Sequence, residues 1–519
     1  MTGIRPPARR LRLPSTSLLK ALALGGLLAA STALPAWATL VDESATSFEM
    51  SEEHMATVLR IIEEGKERNE VMEHLRYLTQ EIGPRLTGSD RLHEANEWTK
   101  SRFEDWGLEN THLWEWGTIS VKFNRGPSTA RIVEPIEREM EFSSRAWSAG
   151  TNGPLRGPVV HEPETEEELE AMRDQLDGAW VLRRAARRGS RRGVVDPGGA
   201  QPTDLLDELY AAGIAGLITA SRDERVHTGG ARGWRELDPD NLPDEVAVRV
   251  RRSDYDSINS RLADDEEVVV EFDMQHEFVP GPIACYNTVA EIPGTEIPEE
   301  VVIVSAHLDS WDGPGSQGTV DNGTGSAVTL EAARILMAAN AKPKRTIRFI
   351  LWTGEEQGLL GSRAYVDSLS DEERARISAV FVDDGGTNYE GGLQCIEEMA
   401  PMLSWATQPV NFAFPDMPVK IHTRDEMPRG GGSDHASFNR AGVPGFFWDE
   451  VGRANYGYAW HTQNDKYDQA IPEYLVQSST CTAITAFNLA NAPTLLPRRA
   501  EAEESSDDDS ENDSDESDG

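Results

Sequence analysis

The first part of the chain has apolar residues at helical spacing. Residues 51–108 repeat them every three to four positions, which favours helices. The apolar positions are Val58, Ile61, Ile62, Val71, Leu75 and Leu78. After a predicted turn, Ser89 or Asp90 should cap a helix that runs to Trp106.

From residue 281 onward, short apolar runs alternate with helical patterns. The predicted strands are 301–306, 346–353, 377–382 and 443–448, and the predicted helices are 327–339, 361–369 and 472–491. This alternation predicts an α/β fold with a doubly wound, mostly parallel sheet. Such sheets bind ligands at the carboxyl ends of their strands.

Residues 118–280 show a different pattern, with several strand-like runs and one clear helix. We therefore predict one domain formed by 39–117 and 281–498, with 118–280 as a β-rich insert. The basic run 183–192 lies in this insert. It is interpreted as a solvated loop, or alternatively as a docking site for an acidic partner or the chain's own acidic tail.

Both ends of the chain differ in composition from the rest. Residues 1–38 combine a basic start, an apolar stretch at 18–34 and the small-residue pattern Ala36-Trp37-Ala38, which predicts a cleaved export signal. We therefore predict a secreted or periplasmic protein. The sequence leaves open whether a short pro-segment at the start of 39–117 is removed. Residues 499–519 are almost entirely acidic and polar, which predicts a disordered tail.

The net charge and the cysteine count exclude some partners and one kind of metal site. The 519 residues carry a net charge of −39, which argues against nucleic acid or an anionic membrane surface as a partner. Three cysteines, Cys285, Cys395 and Cys481, allow at most one disulfide and cannot form a cysteine-rich zinc module. Any metal site must therefore use histidine and carboxylate ligands.

Acidic and imidazole side chains follow the predicted strands of the second half. They are His307, Asp309, Asp321, Glu355, Glu356, Asp383, Asp384 and His461. Because strand ends of a parallel sheet meet at one edge, these groups should converge. Carboxylates so close together repel one another unless cations compensate them.

Zinc suits this set of ligands, and two zinc ions need one bridging carboxylate. We predict His307 and Asp384 on one ion, Glu356 and His461 on the other, and Asp321 between them. Asp309 is expected to hold the second nitrogen of the His307 imidazole. Glu355 is left beside the ions as a general base for the attacking water.

Several motifs resemble the co-catalytic di-zinc exopeptidases. They are GPRLTGS (83–89), NTVAE (287–291), HLDSWD (307–312), LWTGEEQG (351–358), SDH (433–435) and AGVPG (441–445). The insert motif AAGIAGLI (211–218) resembles a protease-associated domain. The resemblance implies the same five ligands and the same base, a cis Asp321–Asn322 peptide and a homodimer. Asp383 precedes the ligand position 384, so the choice of Asp384 is a hypothesis.

The resemblance implies a secreted zinc metallopeptidase that acts on dipeptides or short peptides. The most similar branch favours dipeptidase or carboxypeptidase action, whereas the wider family contains many aminopeptidases. A non-catalytic binding protein and a one-zinc acyl transferase are more distant alternatives on the same fold. Ser433, Asp434 and His435 are candidates for the substrate pocket, Tyr456 or Tyr458 for the oxyanion donor, and Arg429 for a contact to a substrate carboxylate.

Overall fold

The computed structural model describes residue 48, residues 50–184 and residues 205–498. The expectations for the export signal at 1–38 and the acidic tail at 499–519 lie outside these residues. The same holds for the start of 39–117 and for residues 185–192 of the basic run. Among the described residues, no helix has both the length and the apolar character needed to cross a membrane.

The elements are labelled in chain order. The helices are α1 (Glu52–Glu67), α2 (Val71–Arg76), α3 (Asp90–Trp106), α4 (Glu166–Ala171), α5 (Arg173–Leu176), α6 (Leu206–Ala211), α7 (Arg252–Ala263), α8 (Thr324–Ala338), α9 (Leu360–Ser368), α10 (Asp371–Arg376), α11 (Ala400–Ala413), α12 (His435–Arg440), α13 (Tyr456–Ala459) and α14 (Pro472–Ala490). The strands are β1 (Glu109–Glu134), β2 (Arg138–Glu139), β3 (Phe142–Ser143), β4 (Leu155–His161), β5 (Trp180–Leu182), β6 (Gly216–Ala220), β7 (Ala247–Val250), β8 (Val269–Ile292), β9 (Ile297–His307), β10 (Arg345–Trp352), β11 (Ile377–Val382), β12 (Tyr389–Ile396), β13 (Lys420–Arg424), β14 (Gly445–Phe447) and β15 (Asp449–Val451).

The central sheet has the order β14-β11-β9-β10-β8. Strands β14, β11, β9 and β10 run parallel to one another, and β8 runs antiparallel to β10. Val302 and Val304 of β9 pack on the face covered by α8 and α14, whereas Ile303 packs on the face covered by α9 and α12. An apolar strand buried on both faces is typical of a doubly wound sheet, and the predicted fold class is confirmed.

The helices before the sheet follow the sequence pattern. Ser89 caps α3 by accepting a hydrogen bond from the Leu92 amide (3.2 Å), and the helix ends at Trp106 as predicted. Gly107 then adopts a left-handed conformation (φ 85°), which a glycine reaches without steric cost.

Two long antiparallel strands, β1 and β8, run from the central sheet into the insert. The boundaries predicted at 117/118 and 280/281 fall inside these strands, so the backbone is continuous hydrogen-bonded structure there. Beyond them the sheet continues in the order β8-β4-β5-β6-β7-β3 over a separate apolar core. The insert also contains α7, which the sequence pattern did not predict because only Tyr255 and Ile258 are buried apolar residues there.

Candidate metal centre

Three neighbouring strands deliver acidic or imidazole groups to one edge of the sheet. Strand β9 ends at His307, β10 is followed by Glu355 and Glu356, and β11 is followed by Asp383 and Asp384. These strands are adjacent and parallel, in the order β11-β9-β10. The convergence predicted from the sequence is therefore present.

The first group of ligand-type residues is His307, Asp321 and Asp384, all buried. His307 Nε2 lies 3.0 Å from Asp384 Oδ1 and 3.4 Å from Asp321 Oδ1. Asp383 is directed elsewhere, because its carboxyl group hydrogen-bonds with that of Glu450. This arrangement supports the choice of Asp384 over Asp383.

The second group is Asp321, Glu356 and His461. His461 Nε2 lies 3.0 Å from Glu356 Oε2 and 3.3 Å from Asp321 Oδ2. The buried Asp321 Oδ2 accepts no hydrogen bond from the described residues. In each group the ligand atoms lie within 4.8 Å of one another, and Asp321 belongs to both.

This donor set fits a pair of divalent cations. Imidazole nitrogen and carboxylate oxygen are ligands that zinc accepts, and a shared carboxylate is what two neighbouring ions require. The site is also strongly negative. Although burial opposes it, the carboxylates of Glu356 and Asp321 raise the pKa of His461 to about 10.

Asp321 is held in an irregular turn, Thr319–Gly323, just before α8. The Asp321–Asn322 peptide is cis, as the family resemblance implies. The Asn322 side chain donates to the Asp383 carbonyl (2.7 Å) and accepts from the Gly325 amide (2.9 Å). The turn that carries the shared carboxylate is thereby tied to the end of β11.

Asp309 lies next to the second imidazole nitrogen of His307. His307 Nδ1 donates to the carbonyl oxygen of Asp309 (2.9 Å), while the Asp309 carboxylate lies 3.7 Å away. That carboxylate instead accepts from the Glu355 amide (3.2 Å), the Glu356 amide (3.3 Å) and the Thr87 hydroxyl (2.9 Å). Asp309 therefore positions the two glutamates, and its backbone orients the imidazole so that Nε2 faces the site.

Glu355 lies in the same cavity as both groups but belongs to neither. Burial raises its pKa well above the usual range of a glutamate, although the nearby His307 opposes this effect. A buried carboxylate beside two ligand groups has the position required of a proton acceptor.

The loop that carries His461 is contacted by the insert. The Thr228 amide donates to the His461 carbonyl (2.9 Å), and the Gln463 amide donates to the Val226 carbonyl (3.0 Å). Arg235 of the insert also donates to the Gln357 carbonyl (2.8 Å), next to Glu356. Sequence reasoning missed these residues, because backbone hydrogen bonds leave no pattern of residue types.

A cavity of about 710 Å³ opens over the site. Of the pocket candidates, His435 and Tyr456 are among its lining residues, whereas Tyr458 and Arg429 are not. Ser433 and Asp434 are fully buried and also do not line it. The cavity includes two arginines that the sequence did not single out, Arg363 and Arg424.

The doubly wound α/β fold thus carries two groups of ligand-type residues that share Asp321, an arrangement that fits a pair of divalent cations. Residues 287–485 match the profile of peptidase family M28. Carboxypeptidase Q of Mus musculus is 28% identical over 448 residues, covering 84% of this chain and 88% of the mouse protein. Residues 287–485 of the chain therefore resemble peptidase family M28, and the resemblance expected from the motifs is confirmed.

Solved structures of peptidases share the fold of this chain. A peptidase M28 precursor from Shewanella amazonensis SB2B superposes with a TM-score of 0.59 at 25% identity, covering 86% of this chain and 99% of that one. BSAP, a zinc aminopeptidase from Bacillus subtilis, shares the fold with a TM-score of 0.51 at 21% identity, covering 80% and 93% of the two chains. The chain thus has the mixed α/β fold of these peptidases.

Proposed function

We propose that this protein is an exported di-zinc exopeptidase that cleaves dipeptides or short peptides, with dipeptidase or carboxypeptidase action. The observation that carries the proposal is the pair of ligand groups sharing Asp321, with Glu355 in the same cavity. The name of the mouse relative, carboxypeptidase Q, and the zinc of the Bacillus aminopeptidase support it.

The site residues have distinct roles in this proposal. His307 and Asp384 would hold one ion, Glu356 and His461 would hold the other, and Asp321 would be shared by both. When bound, the ions would acidify a water molecule and polarise the scissile carbonyl group. Glu355 takes the proton of the attacking water and returns it to the leaving amine.

Other residues support the reaction. Asp309 fixes the backbone of Glu355 and Glu356 through the hydrogen bonds described above. Tyr456 lines the cavity and is the proposed donor to the oxyanion of the tetrahedral intermediate.

The test combines metal analysis with activity. Protein stripped with a chelator and reloaded with zinc should bind two ions per chain and hydrolyse dipeptides. Glu355→Gln should keep both ions and lose activity by about 100-fold or more. Near-normal turnover by this variant would overturn the role of Glu355, and a single bound ion would overturn the two-metal site.

An aminopeptidase is the second candidate, since the cavity also contains Asp449, an acid that could meet a free amine. Export through residues 1–38, a protease-associated character of 118–280 and a homodimer belong to the same proposal. They rest on the sequence motifs alone.

A further inference from the structure

The cavity beside the ligand groups has two arginines in its wall. Arg363 lies in the first turn of α9, and its amide donates to the Leu359 carbonyl (3.0 Å), just after the loop of Glu355 and Glu356. Arg424 is the last residue of β13, in the small sheet β13-β12-β15. Both side chains are exposed and line the same cavity.

Neither guanidinium pairs with a carboxylate within residues 50–184 and 205–498. This is notable in a chain with 89 acidic and 50 basic residues. On the next helix, for example, Arg374 pairs with Asp371 (3.3 Å) and Arg376 with Glu372 (2.6 Å). Arginines that remain unpaired at the wall of a substrate cavity are available to an anion from outside the chain.

The charges of the residues that line the cavity also favour binding of an anion by Arg363 and Arg424. Two divalent cations would offset the four carboxylates of the site, which are Asp321, Glu355, Glu356 and Asp384. The remaining acid of the cavity wall, Asp449, accepts a hydrogen bond from Gln394 Nε2 (3.0 Å). With both ions bound, the two arginines would outnumber the remaining acid among the lining residues, which favours an anionic substrate group.

We propose that Arg363 and Arg424 bind the free α-carboxylate of the peptide substrate and so select substrates with an unblocked carboxyl end. This inference rests on the proposed function and adds the residues that set specificity. A planar guanidinium fits a carboxylate through two parallel hydrogen bonds, which explains why a neutral carboxamide would bind less well.

The test uses zinc-loaded full-length protein with alanyl-phenylalanine, its carboxamide and its N-acetyl form. We expect the carboxamide to have a KM about 10-fold or more above that of the free acid. Arg363→Ala and Arg424→Ala should each raise KM for the free acid by about 10-fold, with little change in kcat, because the contact exists before the transition state. The KM of the carboxamide should not change.

Two further measurements separate charge recognition from a structural effect. Phenylalanine should inhibit more strongly than phenylalaninamide in the parent protein, and this difference should vanish in the double variant. Arg363→Lys and Arg424→Lys should restore part of the preference, since they keep the charge. Arg429→Ala is the matched control, because Arg429 is exposed, lies five residues after Arg424 and does not line the cavity.

Equal KM values for free acid and carboxamide in the parent protein would overturn the inference. The inference would also fail if the variant with both arginines replaced kept its preference for the free acid over the carboxamide. It would fail as well if the protein required a free substrate amine and lost this requirement only in Asp449→Asn. If the zinc-loaded protein cleaves no dipeptide in any form, the proposed function itself fails, which is a different result.

Discussion

The candidate metal centre has two halves, the first with His307 and Asp384 and the second with Glu356 and His461, and they are built in different ways. His307 and Asp384 leave adjacent strands of the sheet, and the His307 side chain is 0% exposed. His461 belongs to a loop, has a positive φ (52°) and is 29% exposed. The first half is therefore fixed by the core of the fold, whereas the second depends on contacts between a loop and the insert.

This difference has a consequence for function. A ligand at a strand end is positioned by the same packing that stabilises the protein. A ligand on a loop is positioned by a few hydrogen bonds, so its geometry can change without unfolding. We expect the second half to be the more sensitive to changes in the insert.

The largest effect is expected for Asp321, because it belongs to both halves. Asp321→Ala should reduce the bound zinc from two ions to fewer than one per chain and lower kcat/KM on the order of 1000-fold. Metal analysis after gel filtration, together with a dipeptide assay, measures both. Asp367→Asn, an exposed change on α9, is the control, and retention of both ions by Asp321→Ala would contradict the shared role.

The second prediction separates the two halves directly. His307→Ala and His461→Ala should each remove about one ion, but only the first should strongly destabilise the metal-free protein. Loss of the fully buried His307 ring leaves a cavity and should lower the free energy of unfolding by about 2–4 kcal/mol. For the partly exposed His461 we expect less than about 1 kcal/mol. Urea unfolding in the presence of chelator checks this, and equal losses would refute the comparison.

The third prediction concerns the contact between the insert and the His461 loop. Thr228→Pro removes the amide that donates to the His461 carbonyl, so zinc affinity at the second half should fall by about 10-fold. Thr228→Ala keeps the amide and is the matched control. Zinc titration should show one weakened and one unchanged ion. If the proline variant binds both ions normally, the insert does not position this loop.

The smallest effect is expected for the hydrogen bond between Thr87 and Asp309, which supports the backbone of Glu355 and Glu356. Thr87→Val removes the hydroxyl that donates to Asp309, which should destabilise the protein by about 1 kcal/mol and lower activity only a few-fold. Thr329→Val is the control, since the buried Thr329 hydroxyl has no hydrogen-bond partner among the described residues. Thermal unfolding compares the two variants, and an equal loss in both would show that the Thr87–Asp309 bond contributes nothing.

Much of the site could be predicted because the sequence shows both the ligand-type residues and the predicted strands that they follow along the chain. His307, Glu356 and Asp384 follow strands that are adjacent in a parallel sheet, so their convergence follows from the fold class. Asp309 was expected to hold the second nitrogen of His307, and the structure places its carbonyl oxygen 2.9 Å and its carboxylate 3.7 Å from that nitrogen. The sequence could not show which of the two groups lies nearer to the ring. Helix α7 was missed because its apolar face is narrow.

The order of acids and imidazoles along the chain determined by itself which residues can share a pair of ions. Both residue types bind zinc, the three cysteines lie outside these motifs, and parallel strands bring their ends together. Tertiary structure alone decided which backbone amides hold the His461 loop and which arginines reach the cavity. Those choices depend on the path of loops through space, and the path is set by packing between segments far apart in sequence.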